Sequence, residues 1–131
     1  IAMASARGVA SRAIVNNASI VAHRGSQSSG LAYTAAKHGV LGLTKQAAIN
    51  HVIDNIRVNA VSPGPTLTEA TKASLNGVPE EVQEKIKALN PAGTLVDEDE
   101  IAATVLFLCS GRANMINGHD IPVDGGQLAK L

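Results

Sequence analysis

Three short apolar runs along the chain have the composition of buried β-strands. They lie near residues 13–17, 56–62 and 120–123, and each is bounded by polar or turn-forming residues. Longer stretches with helical spacing separate them, and strands that alternate with helices are typical of a parallel sheet. The pattern therefore predicts an α/β fold in which the three strands lie parallel and adjacent, joined by right-handed helical crossovers. The first strand is expected to form an open edge of the sheet.

The longest helical pattern runs from Leu31 to about Asp54. Four apolar positions recur at intervals of four, three and four residues and predict one buried stripe: Ala36, Val40, Leu43 and Ala47. Gly39 and Gly42 weaken this helix by up to about 1 kcal/mol each relative to alanine, and close packing against a neighbour explains them most simply. Such packing indicates a contact between subunits.

Shorter helices are expected elsewhere. Residues 66–90 predict one short helix with Pro79 near its start, an acidic first turn and one apolar side, formed by Val82, Ile86 and Leu89. Asp97 and Glu100 resemble a capping box for a later helix, whose buried face is predicted at Ile101, Val105 and Leu108. Residues 1–11 are rich in alanine and resemble the tail of a helix.

Composition narrows the classes of function. The 131 residues suit one domain, and no repeat, low-complexity segment or linker divides them. Eleven basic and eleven acidic residues give zero formal charge without a basic run, so neither nucleic acid nor an anionic membrane surface is an expected partner. No apolar stretch reaches the length of a membrane span, and no signal-peptide pattern is present.

The single cysteine, Cys109, cannot form an internal disulfide and lies in an apolar helical run. This context predicts a buried, inert thiol and a reducing, cytoplasmic location. The histidines lack the mutual spacing of metal ligands, so no metal is expected.

The only tyrosine, Tyr33, stands four residues before Lys37. On a helix these two positions lie one above the other, so the phenol and the ammonium are neighbours. An adjacent cation favours the phenolate and brings the hydroxyl towards proton exchange near neutral pH. The same spacing is common in solvated surface pairs, so the surrounding residues decide between the two interpretations.

Five segments around this pair and beyond it occur in a fixed order: Ile14-Val15-Asn16-Asn17-Ala18-Ser19, Tyr33-Thr34-Ala35-Ala36-Lys37-His38-Gly39-Val40, Ile56-Arg57-Val58-Asn59-Ala60-Val61-Ser62-Pro63-Gly64, Asn117-Gly118 and Val123-Asp124-Gly125-Gly126. Together they resemble the short-chain dehydrogenase/reductase family. The resemblance runs from about Ile14 to Gly126 and covers the second half of a family member. It implies that residues 1–131 form one partial domain, the C-terminal half of a Rossmann-type doubly wound parallel sheet with about three strands and flanking helices.

The resemblance implies roles for three polar residues. Tyr33 would exchange a proton with the substrate oxygen, Ser19 would hold that oxygen by a hydrogen bond, and Lys37 would tune Tyr33 and bind the nicotinamide ribose. Ser19 follows the first predicted strand, and ligand crevices in open parallel sheets lie at the carboxyl ends of strands. A serine that only caps a loop is the structural alternative.

The resemblance also implies contacts to NAD or NADP. The turn at Pro63 and Gly64 and the later Thr68 match the segment that holds the nicotinamide carboxamide and the pyrophosphate. Thr66, also assigned to the cofactor, stands where a small aliphatic residue is usual in the family. A plain turn followed by a helix cap is the alternative interpretation of this segment.

A small-molecule alcohol or carbonyl compound is the implied substrate. Its contacts are assigned to Ser19, Val21 and Pro65, and residues 66–90 cover the substrate in relatives. The turn at residues 123–126 lies at a subunit interface in relatives, which implies a homo-oligomer, either a tetramer or a dimer.

Some parts of the family's site have no match in this sequence: the glycine-rich phosphate loop, the residue that separates NAD from NADP, and the catalytic asparagine.

Two hypotheses about function follow. The preferred one is an NAD(P)-dependent oxidoreductase that interconverts an alcohol and a ketone or aldehyde, represented here by its C-terminal half and inactive as this piece alone. The alternative is a non-catalytic fragment or interaction protein that keeps half of the fold. Sugar-nucleotide epimerases share the tyrosine and lysine spacing, but the Pro63-Gly64 turn resembles the alcohol and ketone branch.

Overall fold

The computed structural model describes residues 12–130. They form three strands and four α-helices in the order β1 (Arg12–Asn17), α1 (Leu31–Asn50), β2 (Ile56–Pro63), α2 (Glu69–Leu75), α3 (Glu80–Lys87), α4 (Glu98–Cys109) and β3 (Asp120–Val123). Short 3₁₀ turns lie at Ile20–Ala22, Val52–Asp54 and Gly111–Ala113. None of the helices in this part of the chain is long and apolar enough to cross a membrane. The helix tail expected for residues 1–11 lies outside the described residues.

The three strands form one parallel sheet in the order β1-β2-β3. In its register, Ile14 lies beside Val58 and Ala60 lies beside Asp120. The sheet confirms the predicted α/β fold, and the bounds of each strand agree with the prediction to within one residue. Among the described residues β1 pairs on one side only, as expected for an edge strand.

Strand β2 lies at the centre of the sheet and is almost entirely buried. Its polar side chains are satisfied by the segment that leads into β3. Asn59 Nδ2 donates to the Ile116 carbonyl oxygen at 2.8 Å, and Asn59 Oδ1 accepts from His119 N at 3.0 Å. Ser62 Oγ donates to Asp120 Oδ1 at 2.9 Å. Because an unpaired buried polar group costs about 1–3 kcal/mol, these bonds fix β3 beside β2.

Helix α1 packs on the sheet through a face one residue away from the predicted one. Its buried and half-buried positions are Thr34, Lys37, Val40, Leu41, Thr44, Ala47 and Ala48. Two members of the predicted stripe, Ala36 and Leu43, are exposed instead, Leu43 to 63%. A polar contact sets this rotation, because Thr44 Oγ1 accepts a hydrogen bond from Asn16 Nδ2 at 2.9 Å. The pattern of hydrophobic residues in the sequence does not reveal such a polar contact.

The glycines of α1 lie on its open side. A methyl group on Gly39 or on Gly42 would meet no atom within 4 Å. The close packing expected for these glycines is therefore not made by residues 12–130.

Helix α4 begins at the predicted capping box. Asp97 Oδ1 accepts from Asp99 N at 3.0 Å, and Glu100 Oε2 accepts from Asp97 N at 3.2 Å. Leu108, on the predicted face, is fully buried. Cys109 is exposed, so the expectation of a buried thiol is wrong. The reason is helical geometry, since Cys109 points about 100° away from Leu108.

Two short helices, α2 and α3, occupy the segment in which one was predicted. Thr68 caps α2, and α3 begins with the predicted acidic turn. Val82 on α3 and Leu89 after it are exposed, so the described residues do not bury the whole predicted apolar side. On α2 the exposed Lys72 ammonium donates to Glu69, and this hydrogen bond raises the pKa of Lys72.

Candidate active site

Ser19 lies directly beyond the carboxyl end of β1. The hydrogen bonds between β1 and β2 continue for one more residue, because Ala18 N donates to the Val61 carbonyl oxygen at 2.8 Å. Ser19 then begins the turn at Ile20–Ala22. Its Oγ accepts from Val21 N at 3.2 Å, so the serine caps this turn. That bond uses an oxygen lone pair and leaves the hydroxyl proton for a donor role. Capping and donation to a ligand are therefore chemically compatible.

Tyr33 and Lys37 are neighbours on α1, as their spacing predicts. Lys37 Nζ lies 5.6 Å from the centroid of the Tyr33 ring, within the range of a cation–π contact. The same ammonium donates to the Asn17 carbonyl oxygen at 2.9 Å, which ties α1 to the end of β1. Tyr33 is 48% exposed, so its ring and hydroxyl are accessible to a ligand.

The start of α1 adds to the positive potential around Tyr33. Gly30 occupies the N-cap position and offers no side-chain hydrogen bond, and the first turn carries no acidic residue. The positive end of the helix dipole is therefore not offset by a side chain of that turn. Negative charge is favoured at this end of the helix.

The opposite wall of the site is the turn after β2. Gly64 N donates to the Val123 carbonyl oxygen at 2.9 Å, and a methyl group on Gly64 would lie 3.1 Å from Cα and Cβ of Asp124. This separation is shorter than an ordinary carbon–carbon contact, so the close approach explains the glycine.

Two threonine hydroxyls follow this turn. Thr66 Oγ1 donates to the Gly64 carbonyl oxygen at 2.9 Å, and Thr66 also forms an isolated parallel bridge with Val96. Thr68 Oγ1 accepts from Thr71 N at 3.1 Å. Thr68 therefore caps helix α2, as the alternative interpretation of this segment predicted. It also lines the cleft between the two walls.

An open cleft of about 440 Å³ lies between the two walls. Its lining consists of Asn17, Ala18, Ser19, Tyr33, Lys37, Pro63, Gly64, Thr66, Thr68, Glu98, Ile101 and Ala102. The structure therefore brings together the three residues predicted to be catalytic and the four further residues predicted to contact the cofactor. The cleft lies at the carboxyl ends of β1 and β2, where open parallel sheets bind ligands.

Two residues predicted to contact the substrate do not line this cleft. Val21 is buried and lines an adjoining cavity instead. Pro65 is half-buried, and its carbonyl oxygen accepts from Val96 N at 2.9 Å. A contact of Pro65 with substrate stays a prediction.

Several lining residues were not predicted from the sequence. Asn17 contributes a backbone carbonyl to Lys37, and no side-chain pattern signals such a contact. Glu98 and Ile101 come from α4. Helical spacing predicted the packed side of that helix and carried no signal that its first turn borders a cleft. Of the described lining residues, Glu98 is the only acidic one.

A polar cluster holds the turn that follows Ser19. His23 Nε2 lies 2.7 Å from Asp120 Oδ2, and Ser62 Oγ donates to Asp120 Oδ1 at 2.9 Å. The cluster joins this turn to both β2 and β3. Its members are far apart in sequence and follow no spacing rule, so the sequence carried no signal for it.

Comparison with known proteins identifies relatives. A family model described as Enoyl-(Acyl carrier protein) reductase matches residues 2–127. Levodione reductase from Leifsonia aquatica is 39% identical over 121 residues, which cover 88% of this chain and 45% of the relative. The chain spans about half the length of the curated relatives that it matches.

Solved structures share the fold. The structure described as ElxO with NADP bound superposes with a TM-score of 0.83 at 35% identity, covering 90% of this chain and 47% of that one. The structure of 4-hydroxyisoleucine dehydrogenase complexed with NADH superposes with a TM-score of 0.83 at 34% identity, covering 91% of this chain and 48% of that one.

Proposed function

This chain belongs to the short-chain dehydrogenase/reductase family, and from that premise we propose that it supplies the catalytic half of an NAD(P)-dependent oxidoreductase that interconverts an alcohol and a ketone or aldehyde. One observation carries the proposal: Ser19, Tyr33 and Lys37 line the same cleft as the turn at Pro63 and Gly64. The proposed proton-exchanging group, Tyr33, then lies in the same cleft as the turn proposed to bind the dinucleotide. Hydride transfer requires the substrate and the dinucleotide to lie this close together.

Tyr33 is the proposed acid and base. When a carbonyl carbon gains a hydride, its oxygen takes the proton of the Tyr33 hydroxyl, and alcohol oxidation returns that proton to the phenolate. The Lys37 ammonium, 5.6 Å from the ring centroid, favours negative charge on the phenolic oxygen. The uncapped start of α1 acts in the same direction. Both features place positive charge near the hydroxyl that is proposed to exchange the proton.

Ser19 and Lys37 position the reacting groups. The Ser19 hydroxyl donates to the substrate oxygen while its lone pair keeps the bond from Val21 N. Lys37 uses one of its three N–H donors on the Asn17 carbonyl, and the other donors are proposed to bind the nicotinamide ribose.

The donor set of the cleft fits NAD or NADP. The ammonium of Lys37 and the hydroxyls of Thr66 and Thr68 line the same cleft as Pro63 and Gly64. NAD(P), when bound, supplies or accepts the hydride. Similarity to structures with NADP and with NADH bound supports this assignment and leaves the choice between them open.

A small-molecule alcohol or carbonyl compound is the proposed substrate. One relative is named levodione reductase, and another is named 4-hydroxyisoleucine dehydrogenase. The two names refer to different substrates. The choice between them must come from this chain's own residues.

We also propose that residues 1–131 are the second half of a Rossmann-type domain in a homo-oligomer, a dimer or a tetramer. Leu43 is exposed on α1, and Gly42 leaves room for another helix. A cytoplasmic location is proposed because the free Cys109 thiol is exposed, and a reducing compartment keeps such a thiol from oxidation. Sedimentation velocity that shows only a monomer would contradict the assembly, and secretion into the medium would contradict the location.

Dinucleotide titration of the complete native protein tests the proposed function. We expect saturable binding of NADH or NADPH, and oxidation of the bound dinucleotide when ketones from a panel are added. A complete protein that binds neither dinucleotide would contradict the proposal and favour the non-catalytic interaction protein.

A further inference from the structure

A second cavity borders the turn that follows Ser19. Its volume is about 420 Å³, and its apolar lining comes from Ile20, Val21 and Leu89. Val21 N donates to Ser19 Oγ at 3.2 Å, so the residue that fixes the serine hydroxyl also forms part of this cavity wall. The cavity therefore adjoins the proposed reaction site and offers apolar surface to a carbon skeleton.

Arg24 is the only charged residue among those that line this cavity. Its Nη2 donates to the Gln127 carbonyl oxygen at 3.2 Å, and within the described part of the chain this is the one hydrogen bond of the guanidinium. Asp120 contacts His23, the residue before Arg24, and is also held by Ser62. It does not line the cavity. Arg24 is exposed, and none of the other residues that line the cavity carries a negative charge. A planar guanidinium with open N–H donors binds a carboxylate through two parallel hydrogen bonds.

We propose that this cavity binds the carboxylate of the substrate, so that the enzyme interconverts a hydroxy acid and the corresponding oxo acid. The inference rests on the proposed function and names its substrate class. In the oxidation the carbinol carbon loses a hydride to NAD(P)⁺ and its hydroxyl loses a proton to Tyr33, while the carboxylate stays unchanged on Arg24. Ser19 precedes the 3₁₀ turn at Ile20–Ala22, and Arg24 follows it. The proposal therefore places the carboxylate several bonds from the reacting carbon.

Matched acids and amides test the proposal on the complete native protein. The probes are 4-oxopentanoate and 4-oxocyclohexanecarboxylate, each compared with its carboxamide by isothermal titration calorimetry. We expect each acid to bind at least about 10-fold more tightly than its amide. Arg24→Gln should weaken acid binding about 10- to 100-fold and leave amide binding unchanged, since a charged hydrogen-bond partner is lost. Arg24→Lys should restore part of the preference.

Arg112→Gln is the matched control, because Arg112 is exposed on a distant 3₁₀ turn and does not line the cavity. It should keep the full preference for acids. Equal affinity for acid and amide, absence of acid binding, or acid binding that survives Arg24→Gln would overturn the carboxylate site.

Reduction of uncharged ketones by NADH or NADPH, measured on the same preparations, reports the proposed function separately. Ketone reduction without an acid preference overturns only the carboxylate site. The complete protein could instead bind no dinucleotide and still prefer acids through Arg24. That result would overturn the proposed oxidoreductase function and support the cavity as a carboxylate-binding site.

Discussion

Lys37 has two proposed roles, because it tunes Tyr33 and binds the nicotinamide ribose. Its ammonium contacts both the Tyr33 ring and the Asn17 carbonyl oxygen at the end of β1. In the complete native protein Lys37→Met should raise the dissociation constant of the dinucleotide and also lower kcat. The substitution keeps the aliphatic stem and removes the charge. Loss of a charged hydrogen bond corresponds to about 1.5–3 kcal/mol, or roughly 10- to 100-fold in the dissociation constant.

Fluorescence titration with NADH and NADPH and steady-state kinetics separate these two effects. Lys45→Met is the control, because Lys45 is exposed on the same helix and does not line the cleft. Unchanged dinucleotide affinity in Lys37→Met would remove the ribose-binding role, and unchanged kcat would remove the tuning of Tyr33.

At the scale of residues the sequence predicts local contacts well. The neighbouring positions of Tyr33 and Lys37 follow from helical spacing alone. The bond from Lys37 to the Asn17 carbonyl does not, because a backbone oxygen has no signature in the sequence. The pair His23 and Asp120 was missed for another reason, since only the folded sheet brings two such distant positions together.

At the scale of elements, the limits of α1 were predictable and its orientation was not. The helix begins at the predicted residue, Leu31, and its α-helical part ends at Asn50, before the 3₁₀ turn that reaches Asp54. Its buried face is shifted by one residue because Thr44 pairs with Asn16. Hydrophobicity alone therefore misassigned Leu43, which remains exposed.

The turn after β3 packs on the turn after α3, and Gly125 lies at their contact. Gly125 has a φ of 59°, and a methyl group there would overlap the buried side chain of Asn90. Gly125→Ala should therefore lower the free energy of unfolding by about 2–5 kcal/mol, from backbone strain together with overpacking.

Gly77→Ala separates the two causes. Gly77 has a φ of 82°, but a methyl group there would meet nothing within 4 Å. We expect a loss of only about 1–2 kcal/mol from strain. Urea denaturation of the complete protein measures both variants, and an equal loss at the two positions would contradict the packing of Gly125 on Asn90.

At the scale of the whole molecule, one edge of the sheet and several apolar side chains lack partners within the described residues. β1 pairs only with β2, Ile14 on it is 46% exposed, and Leu106 on α4 is 71% exposed. An open strand edge beside exposed apolar surface promotes association with other chains. We therefore expect residues 1–131 expressed alone to be poorly soluble or only partly folded, and to bind neither NAD nor NADP.

Size-exclusion chromatography, thermal unfolding and dinucleotide titration test this expectation. The complete native protein, treated in the same way, is the control. A soluble monomer of residues 1–131 that melts cooperatively would contradict the proposal that they are half of a domain.

The alternation of strands and helices predicted the parallel sheet, and the position of Ser19 after the first strand predicted a ligand crevice at the carboxyl ends of the strands. The cavity beside Arg24 could not be predicted in this way. Its walls come from the turn after β1, from Leu89 and from Gln127, and only the tertiary fold brings these segments together. The proposed substrate selection therefore depends on contacts that the motifs do not contain.

The substitution Tyr33→Phe in the complete native protein tests the central claim most directly. It removes one hydroxyl and keeps the ring that contacts Lys37. Proton exchange at that hydroxyl is the proposed chemical role, so ketone reduction should fall by at least about 100-fold while the dissociation constant of the dinucleotide stays nearly unchanged. Near-normal turnover in Tyr33→Phe would contradict the assignment of this cleft as the active site.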